Sequence, residues 1–332
     1  MKILAIESSC DETAAAVVED GRRVLSNIVF SQAKRHREFG GVVPEIASRM
    51  HIECIDAVVT EALKDANTDI FQVDAVASTC YPGLIGALLV GAGYAKGLCI
   101  AASKPFIPVN HIRGHIAAAY TAFEGLTPPF CALAVSGGNT LIVHVKDFTE
   151  LEVLGGTVDD AAGEAFDKVG RVLGFGYPCG AELDQAAAGG NEEAFSFPVP
   201  HTEGPFDFSF SGLKTAALNQ LHAMHQRGEE VPVKDFAASF SAHIARMLTY
   251  RTLEAAQSRG LDTVVLAGGV AANSYLRREL TQTCKCKGIR LYTPPLSLCG
   301  DNAAMIGAQA FYEWQAGHVA DLSQNCFANA KL

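Results

Sequence analysis

The sequence predicts an α/β protein built on a duplicated domain, and three observations carry that expectation. Residues 2–6 ("KILAI") and 13–18 ("TAAAVV") are apolar runs joined by the polar loop "ESSCDE". That is the signature of a strand hairpin. The device recurs further along, where "CALAV" and "LIVHV" flank "SGGNT" at 136–140. Each hairpin is followed by alternating strand-like and helix-like segments, as expected of a repeated α/β unit.

After the first hairpin, residues 44–64 have the pattern of a helix opened by Pro44, a residue favoured in the first helical turn. A strand is expected at 73–79. The loop "CYPGLIG" then leads into a long apolar helix, "ALLVGAGYAKGLCIAAS", and the strand "PFIPV". After the second hairpin, "DDAAGEAFDKVGRVLG" has helical spacing. The stretch 189–212, rich in Gly, Pro and Phe, lacks it. Loops of that length usually carry function or cover a site. "TVVLAGGVAANSYLRREL" has the pattern of strand, glycine turn and helix, and "LCGDNAAMIGAQAFYEW" opens the last helix.

Composition narrows the function classes. With 332 residues, 49% hydrophobic and 19% charged, the chain can bury a substantial core. The N-terminus enters a strand pattern at once and has no signal-peptide features, and no window holds the run of consecutive apolar residues that a membrane span needs. The expected location is therefore cytoplasmic, with no membrane partner. Ten cysteines scattered through apolar strings are expected to be free, buried thiols. A net charge of −10 argues against a stand-alone nucleic-acid binder. The main local exception is Lys34, Arg35, His36 and Arg37, whose ordinary reading is a solvated turn.

Several motifs point to chemistry. "SGGNT" and "LAGGVAANS", supported by "PGLIGA", are glycine-rich turns at strand ends. Such turns present free backbone amides to an anion, so two or three facing one cleft would suit a nucleotide's phosphates. None has the Gly-Lys-Ser/Thr ending of a P-loop. Asp160, Glu164 and Asp167 fall at i, i+4 and i+7 of a helix, either a solvated acidic face or acceptors for a ribose. His111 and His115 stand one helical turn apart, and Asp301 opens an apolar helix after a glycine. Asp301 is either an N-cap or, with the two imidazoles, the carboxylate of an open metal site.

The ordered set "ILAIESSCDETAAAVV", "GGVVPEIASRMH", "PGLIGALLVGAGYAKGL", "HIRGHIAA", "VSGGNT", "GEAFDKVGRVLG", "SFSGLKTA", "LAGGVAANSYLR" and "GDNAAMIG" resembles the catalytic subunit of the bacterial tRNA threonylcarbamoyladenosine transferase family, once labelled a glycoprotease. The match runs from about residue 3 to 312. The resemblance implies the duplicated actin-like, sugar-kinase-like and Hsp70-like ATPase fold, with two related lobes around a nucleotide cleft. Residues 1–106 plus 303–332 would form the first lobe and 107–302 the second. It implies transfer of a threonylcarbamoyl group from threonylcarbamoyl-adenylate to the exocyclic amine of the adenosine beside the anticodon, in tRNAs reading codons that begin with A.

Carried over by position, the resemblance makes His111, His115 and Asp301 ligands of one divalent metal, Fe(II) favoured and Zn the alternative. Ala134, Val135, Ser136, Gly137 and Gly138 would contact substrate phosphate. Asp167, Gly180, Asp184 and Asn273 would contact the adenylate ribose and its surroundings. Asp11 and Glu12 of the first hairpin are the candidates for moving the amine's proton. The implied partners are tRNA, a TsaB-type paralogue, a TsaE-type ATPase and an upstream adenylate-forming enzyme, and ATP or ADP is a further cleft ligand.

Three positions depart from the family pattern. Arg113 stands where Glu is usual, Cys179 and Ala181 interrupt a Pro-Gly-Gly-Pro run around Gly180, and Gly300 replaces a common Thr. For Arg113 the expectation is added positive charge near a phosphate or a side chain in solvent. A zinc protease would need a glutamate directly after the first histidine, where this chain has Ile112. A sugar or acyl kinase would gain nothing from the histidine pair, and a non-catalytic paralogue would lack it.

Overall fold

The structure, a computed structural model, describes every residue except 331 and divides into two compact units. The first comprises Met1–Pro128, Lys146–Leu151 and Pro294–Leu332, and the second Pro129–Val145 and Glu152–Thr293.

In the first unit the strands are β1 (Lys2–Glu7), β2 (Glu12–Glu19), β3 (Arg23–Ser31), β4 (Ala75–Tyr81) and β5 (Phe106–Asn110). The helices are α1 (Ala33–Arg37), α2 (Pro44–Asp65), α3 (Ile85–Ala102), α4 (His111–Ala122) and, from the far end of the chain, α10 (Ala303–Gln315). The sheet order is β3-β2-β1-β4-β5. β1 runs antiparallel to β2 and parallel to β4, with Ala5 opposite both Ala16 and Ala77. Leu4 and Ile6 pack with Val58, Val59, Leu88 and Ala92 of α2 and α3. Ile3 and Ala5 instead pack with Ala303, Ala304, Met305 and Ile306 of α10. Both faces of β1 are thus covered, which is why its sequence is apolar throughout instead of alternating.

The second unit holds β6 (Phe130–Val135), β7 (Thr140–Val145), β8 (Leu151–Gly156), β9 (Thr263–Ala267) and β10 (Arg290–Tyr292). Its helices are α5 (Ala162–Val172), α6 (Gly180–Ala187), α7 (Ser211–Gln226), α8 (Val233–Ser258) and α9 (Ser274–Lys287). The sheet order, β8-β7-β6-β9-β10, repeats that of the first unit position by position. β6 is antiparallel to β7 and parallel to β9, as β1 is to β2 and β4. The duplication expected from the two hairpins is a duplication of strand order.

Several expectations are corrected. The unit boundaries fall elsewhere: residues 107–128 and 294–302 belong with the first unit, because α4 packs on α10 and on β5. Glu7 is the last residue of β1 and fully buried, not part of a polar loop. Asp160 precedes α5, which starts at Ala162, so it does not share that helix's face with Glu164 and Asp167. The basic run forms α1, and its His36 is buried, with Nε2 3.2 Å from Gln32 Oε1. By length and composition α3 could cross a membrane, yet it packs on β4 and α2, and Lys96 interrupts it to donate to the Gln324 carbonyl.

Candidate functional site

In the first unit, β5 delivers the chain into α4 through Asn110. Its side-chain oxygen accepts the N–H groups of Ile112 at 2.8 Å and Arg113 at 3.3 Å. An Asn in that position starts the helix crisply, so His111 and His115 share one face. Their rings lie 4.5 Å apart, centroid to centroid, at 76°. Gly114 stands between them, and a Cβ there would come 2.7 Å from Ile306 Cδ1. The absent side chain lets α4 approach α10 closely, which brings the third residue into reach.

That residue is Asp301. α10 is capped by Asn302, whose Oδ1 accepts the Met305 N–H at 3.0 Å, so Asp301 is released from capping. Asp301 Oδ1 lies 3.2 Å from His115 Nε2 and 3.6 Å from His111 Nε2. One ligand atom from each of the three residues falls within 4.8 Å of the others.

Glu7 stands behind His111. Its Oε2 is 3.0 Å from His111 Nδ1 and accepts the Thr79 hydroxyl at 2.6 Å. Its Oε1 accepts the Ser9 N–H at 2.5 Å, and Ser9 Oγ lies 3.1 Å from the same Nδ1. Burial alone would raise the Glu7 carboxyl, but the His111 ring and the Thr79 hydroxyl hold it below its ordinary value. Burial would likewise lower His111, and the carboxylates of Asp301 and Glu7 lift it to about 9 instead. Asp301, despite burial, is held well below the usual carboxylate range by His111 and His115.

This donor set fits a divalent cation. His115 is 2% exposed, its Nδ1 has no hydrogen-bond partner, and its Nε2 faces only Asp301. A buried imidazole without partners is costly, and a metal ligand role removes that cost for one nitrogen. Two carboxylates, the buried Glu7 and the partly buried Asp301, have no Lys or Arg counterion among the described residues. A dication supplies that missing charge. Two imidazoles and one carboxylate leave coordination positions open for water or substrate.

Asp11 and Glu12 belong to the same unit. Glu12 Oε1 accepts the Ser31 hydroxyl at 2.8 Å. Burial first, then the nearby charges of Asp11 and Asp301, push Glu12 up to about 9.

The expected phosphate and ribose residues all lie in the second unit. Ala134 and Val135 end β6, and Ser136, Gly137 and Gly138 follow in the turn to β7. Gly163 in the first turn of α5 abuts that turn: a Cβ there would lie 2.6 Å from the Ser136 carbonyl oxygen. Gly268, with φ of +91°, presses the turn after β9 onto β6, where a Cβ would meet the Val135 oxygen at 2.3 Å. The two glycine turns and the N-terminus of α5 thus meet at one end of the sheet, an arrangement suited to an anion. Asp184 on α6 accepts from Asn273 Nδ2 at 3.0 Å, Ser274 N at 3.0 Å and Ser274 Oγ at 2.9 Å. Asn273 also caps α9 through Leu276 N. Asp167 Oδ1 accepts the Cys179 N–H at 2.8 Å, which sets the chain entering α6 at Gly180.

Glu7, Thr79, Ser9 and Ser274 escape sequence reasoning, because their roles come from partners distant in the chain. The one available signal was a glutamate closing an otherwise apolar strand. Arg113 meets neither expectation. Its Nη1 donates to the Thr149 carbonyl at 2.8 Å and to Glu313 Oε1 at 3.2 Å. It lines a cavity of about 500 Å³ with Tyr81, Asn110, Glu313 and His318. Cys179 is buried against Gly170, and Gly300 meets no atom that a side chain would strike, so neither departure disturbs a proposed ligand.

The profile described as tRNA N6-adenosine threonylcarbamoyltransferase (TsaD) matches residues 23–308. A protein of that description from Clostridium botulinum (strain 657 / Type Ba4) is 54% identical over 333 residues, spanning 100% of this chain and 98% of its own. One from Clostridium novyi (strain NT) is 51% identical over 334 residues, with coverage of 100% and 98%. Among solved structures, HypF from T. kodakarensis superimposes with a TM-score of 0.65 at 15% identity, over 96% of this chain and 48% of its own. Component A of the Acidaminococcus fermentans (R)-2-hydroxyglutaryl-CoA dehydratase gives 0.55 at 16% identity, over 94% and 98%. At such identities these likenesses bear on the fold alone: it is the duplicated actin-like ATPase fold.

Proposed function

The chain belongs to the tRNA N6-adenosine threonylcarbamoyltransferase family and is a transferase of that activity, and from this premise we propose how it works. The donor is threonylcarbamoyl-adenylate, the acceptors are tRNAs reading codons that begin with A, and His111, His115 and Asp301 hold a divalent cation. The observation that carries the reading is the buried pair of imidazoles beside a carboxylate freed from capping, with one ligand atom of each within 4.8 Å of the others. Two histidines and one carboxylate favour iron(II) and also suit zinc.

An adenine amine is a weak nucleophile, so the acyl group must arrive on a good leaving group, and a mixed carbamoyl–phosphate anhydride supplies one. The new bond joins the amine nitrogen to the carbamoyl carbon, the bond from that carbon to the phosphate oxygen breaks, and adenylate leaves. The cation, when bound, acts as a Lewis acid on the donor's carbonyl or phosphate oxygen. Backbone amides of the turn at Ala134–Gly138 take up charge on the departing phosphate. Asp167, Gly180, Asp184 and Asn273 hold the ribose and align donor with amine. Asp11 or Glu12 accepts the amine's proton.

The partner surfaces follow from exposure. On α3, Leu89 and Ile100 are half or more exposed and Ile85 nearly so, and Ile52 of α2 beside it is exposed too. This apolar face supports docking of a TsaB-type paralogue. A TsaE-type ATPase and an adenylate-forming enzyme complete the system, and ATP or ADP competes for the donor's place. Lys34, Arg35 and Arg37 of α1 contribute to tRNA binding, and the setting for this chemistry is the cytoplasm.

The deciding experiment supplies threonine, bicarbonate, ATP, the partner proteins and unmodified tRNA, with the modified nucleoside measured by mass spectrometry. Product with wild type and none with His111→Ala supports the reading. An equally active His111→Ala enzyme would remove the cation from it.

A further inference from the structure

We propose that Glu7 is the positioning residue of the cation centre: it fixes His111 in the Nδ1–H tautomer and aims Nε2 at the point that His115 and Asp301 share. The inference rests on the cation reading above and adds to it a residue outside the ligand set.

The geometry leaves His111 little choice. The form of imidazole that ligates a metal is neutral and carries one N–H and one lone pair. Nδ1 faces the Glu7 carboxylate oxygen at 3.0 Å, and an ionised carboxylate only accepts, so the proton belongs on Nδ1. The lone pair then belongs to Nε2, the atom on the Asp301 side at 3.6 Å. A carboxylate behind a ligating histidine sets both the ring's orientation and its basicity.

Glu7 is itself held firmly. Thr79 on β4 and the Ser9 N–H occupy its two oxygens, and the residue is fully buried at the end of a strand paired on both sides. β4 and β5 run parallel beside it, and β5 leads directly into His111, so the sheet fixes donor and acceptor alike. His115 has no such support from behind, since its Nδ1 has no partner and its Nε2 faces Asp301 itself. The two imidazoles are therefore unequal: one is oriented from behind and one is placed by helix packing alone. Among the described residues Glu7 also lacks the usual explanation for a buried carboxylate, a Lys or Arg partner, and the cationic group it faces is His111.

The test uses the full chain and cobalt(II) as the probe metal, read by its visible absorption, with Glu7→Gln as the variant. Glu7→Gln retains the size of the side chain and loses the acceptor's charge. The expected result is a folded variant, by circular dichroism and melting, whose cobalt Kd is weakened about ten- to a hundredfold, the range typical for loss of such a partner. A Kd within twofold of wild type in a folded variant overturns the proposal. A second measurement needs no variant of Glu7: nitrogen NMR of the zinc-loaded wild type, with His111 assigned by its loss in His111→Ala. The proposal requires a protonated Nδ1 and a zinc-bound Nε2, and zinc on Nδ1 overturns it even if Glu7→Gln fails to fold. Wild type that takes up neither metal overturns the cation reading and this inference together. Tight wild-type binding with an unaffected Glu7→Gln overturns this inference alone.

Discussion

Asn302 Oδ1 accepts the Met305 N–H at 3.0 Å, and that one bond separates two tasks that adjacent residues could have shared. Asn302 starts the helix, while Asp301 keeps its carboxylate for His111 and His115. The two substitutions should therefore part company. Asn302→Ala is expected to cost about 1 kcal/mol of stability, the usual value of an N-cap. Asp301→Asn should leave the denaturation midpoint nearly unchanged and abolish tight cobalt binding. Denaturant melts and metal titration on the same two variants check both outcomes.

Gly114 permits the approach of α4 to α10. A Cβ at 2.7 Å from Ile306 Cδ1 requires that side chain to move, so Gly114→Ala should destabilise by about 1–3 kcal/mol, the range for overpacking. Ile306→Val removes the obstructing methyl, and the double variant should recover part of that loss. Failure of the pair to couple in a double-mutant cycle would place the strain elsewhere.

Glu12 predicts a pH dependence in the metal-free protein. Its carboxyl is raised to about 9 by burial and by the charges of Asp11 and Asp301. An unfolded Glu loses its proton near 4.5, so between those values folding takes up a proton. The contribution of Glu12 is fully present below about pH 4.5 and is lost as pH rises towards 9. Glu12→Gln is neutral in both states and removes that slope. The variant should match wild type near pH 4.5 and exceed it at pH 8 by about 1–3 kcal/mol. Equal slopes in the two proteins would show that Glu12 titrates normally.

Asp184 joins α6 to the start of α9 through Asn273 and Ser274. In the proposed reaction these residues hold the donor's ribose. Asp184→Ala should raise the KM for the adenylate about tenfold or more, in keeping with loss of charge-assisted hydrogen bonds. Cobalt affinity should not change, because the ligand set belongs to the other unit. A joint loss of metal and donor binding would mean that the substitution unfolds more than its own surroundings.

Much of the fold was legible because its signals are local. The hairpin strands at 2–6 and 13–18 appear as Lys2–Glu7 and Glu12–Glu19, and the helix expected at 44–64 runs Pro44–Asp65. β3 left no such trace: it is covered on one side by α2 and largely exposed on the other, with Val29 and Phe30 turned outward. Its pattern matches neither a buried strand nor a clean alternation. α3 was anticipated to within two residues at its start, since a long apolar run with good helix formers has one reading.

At the site, the three proposed ligand residues came from resemblance, with spacing only suggesting the histidine pair, and the structure brings all three within reach of one another. What supports them was not. Glu7 meets Thr79 and His111, which lie 72 and 104 residues further along, and no window of sequence contains both ends of such a bond. Arg113 failed for the same reason, since its partner Glu313 is 200 residues away. Side chains that act on neighbours in sequence leave patterns, and those that act across the fold do not.

The two halves share one strand order, yet the loops that leave their leading strands differ in electrical character. "ESSCDE" gathers acids at the end of β1, and "SGGNT" bares peptide groups at the end of β6. The two segments differ in length by one residue, and Glu7 and Thr140 are themselves rungs of the ladders they close, so the chemistry of each end is tied to the register of its hairpin. The glutamate that opens the acidic segment is therefore scaffold and rim at once, and its replacement would be felt in both.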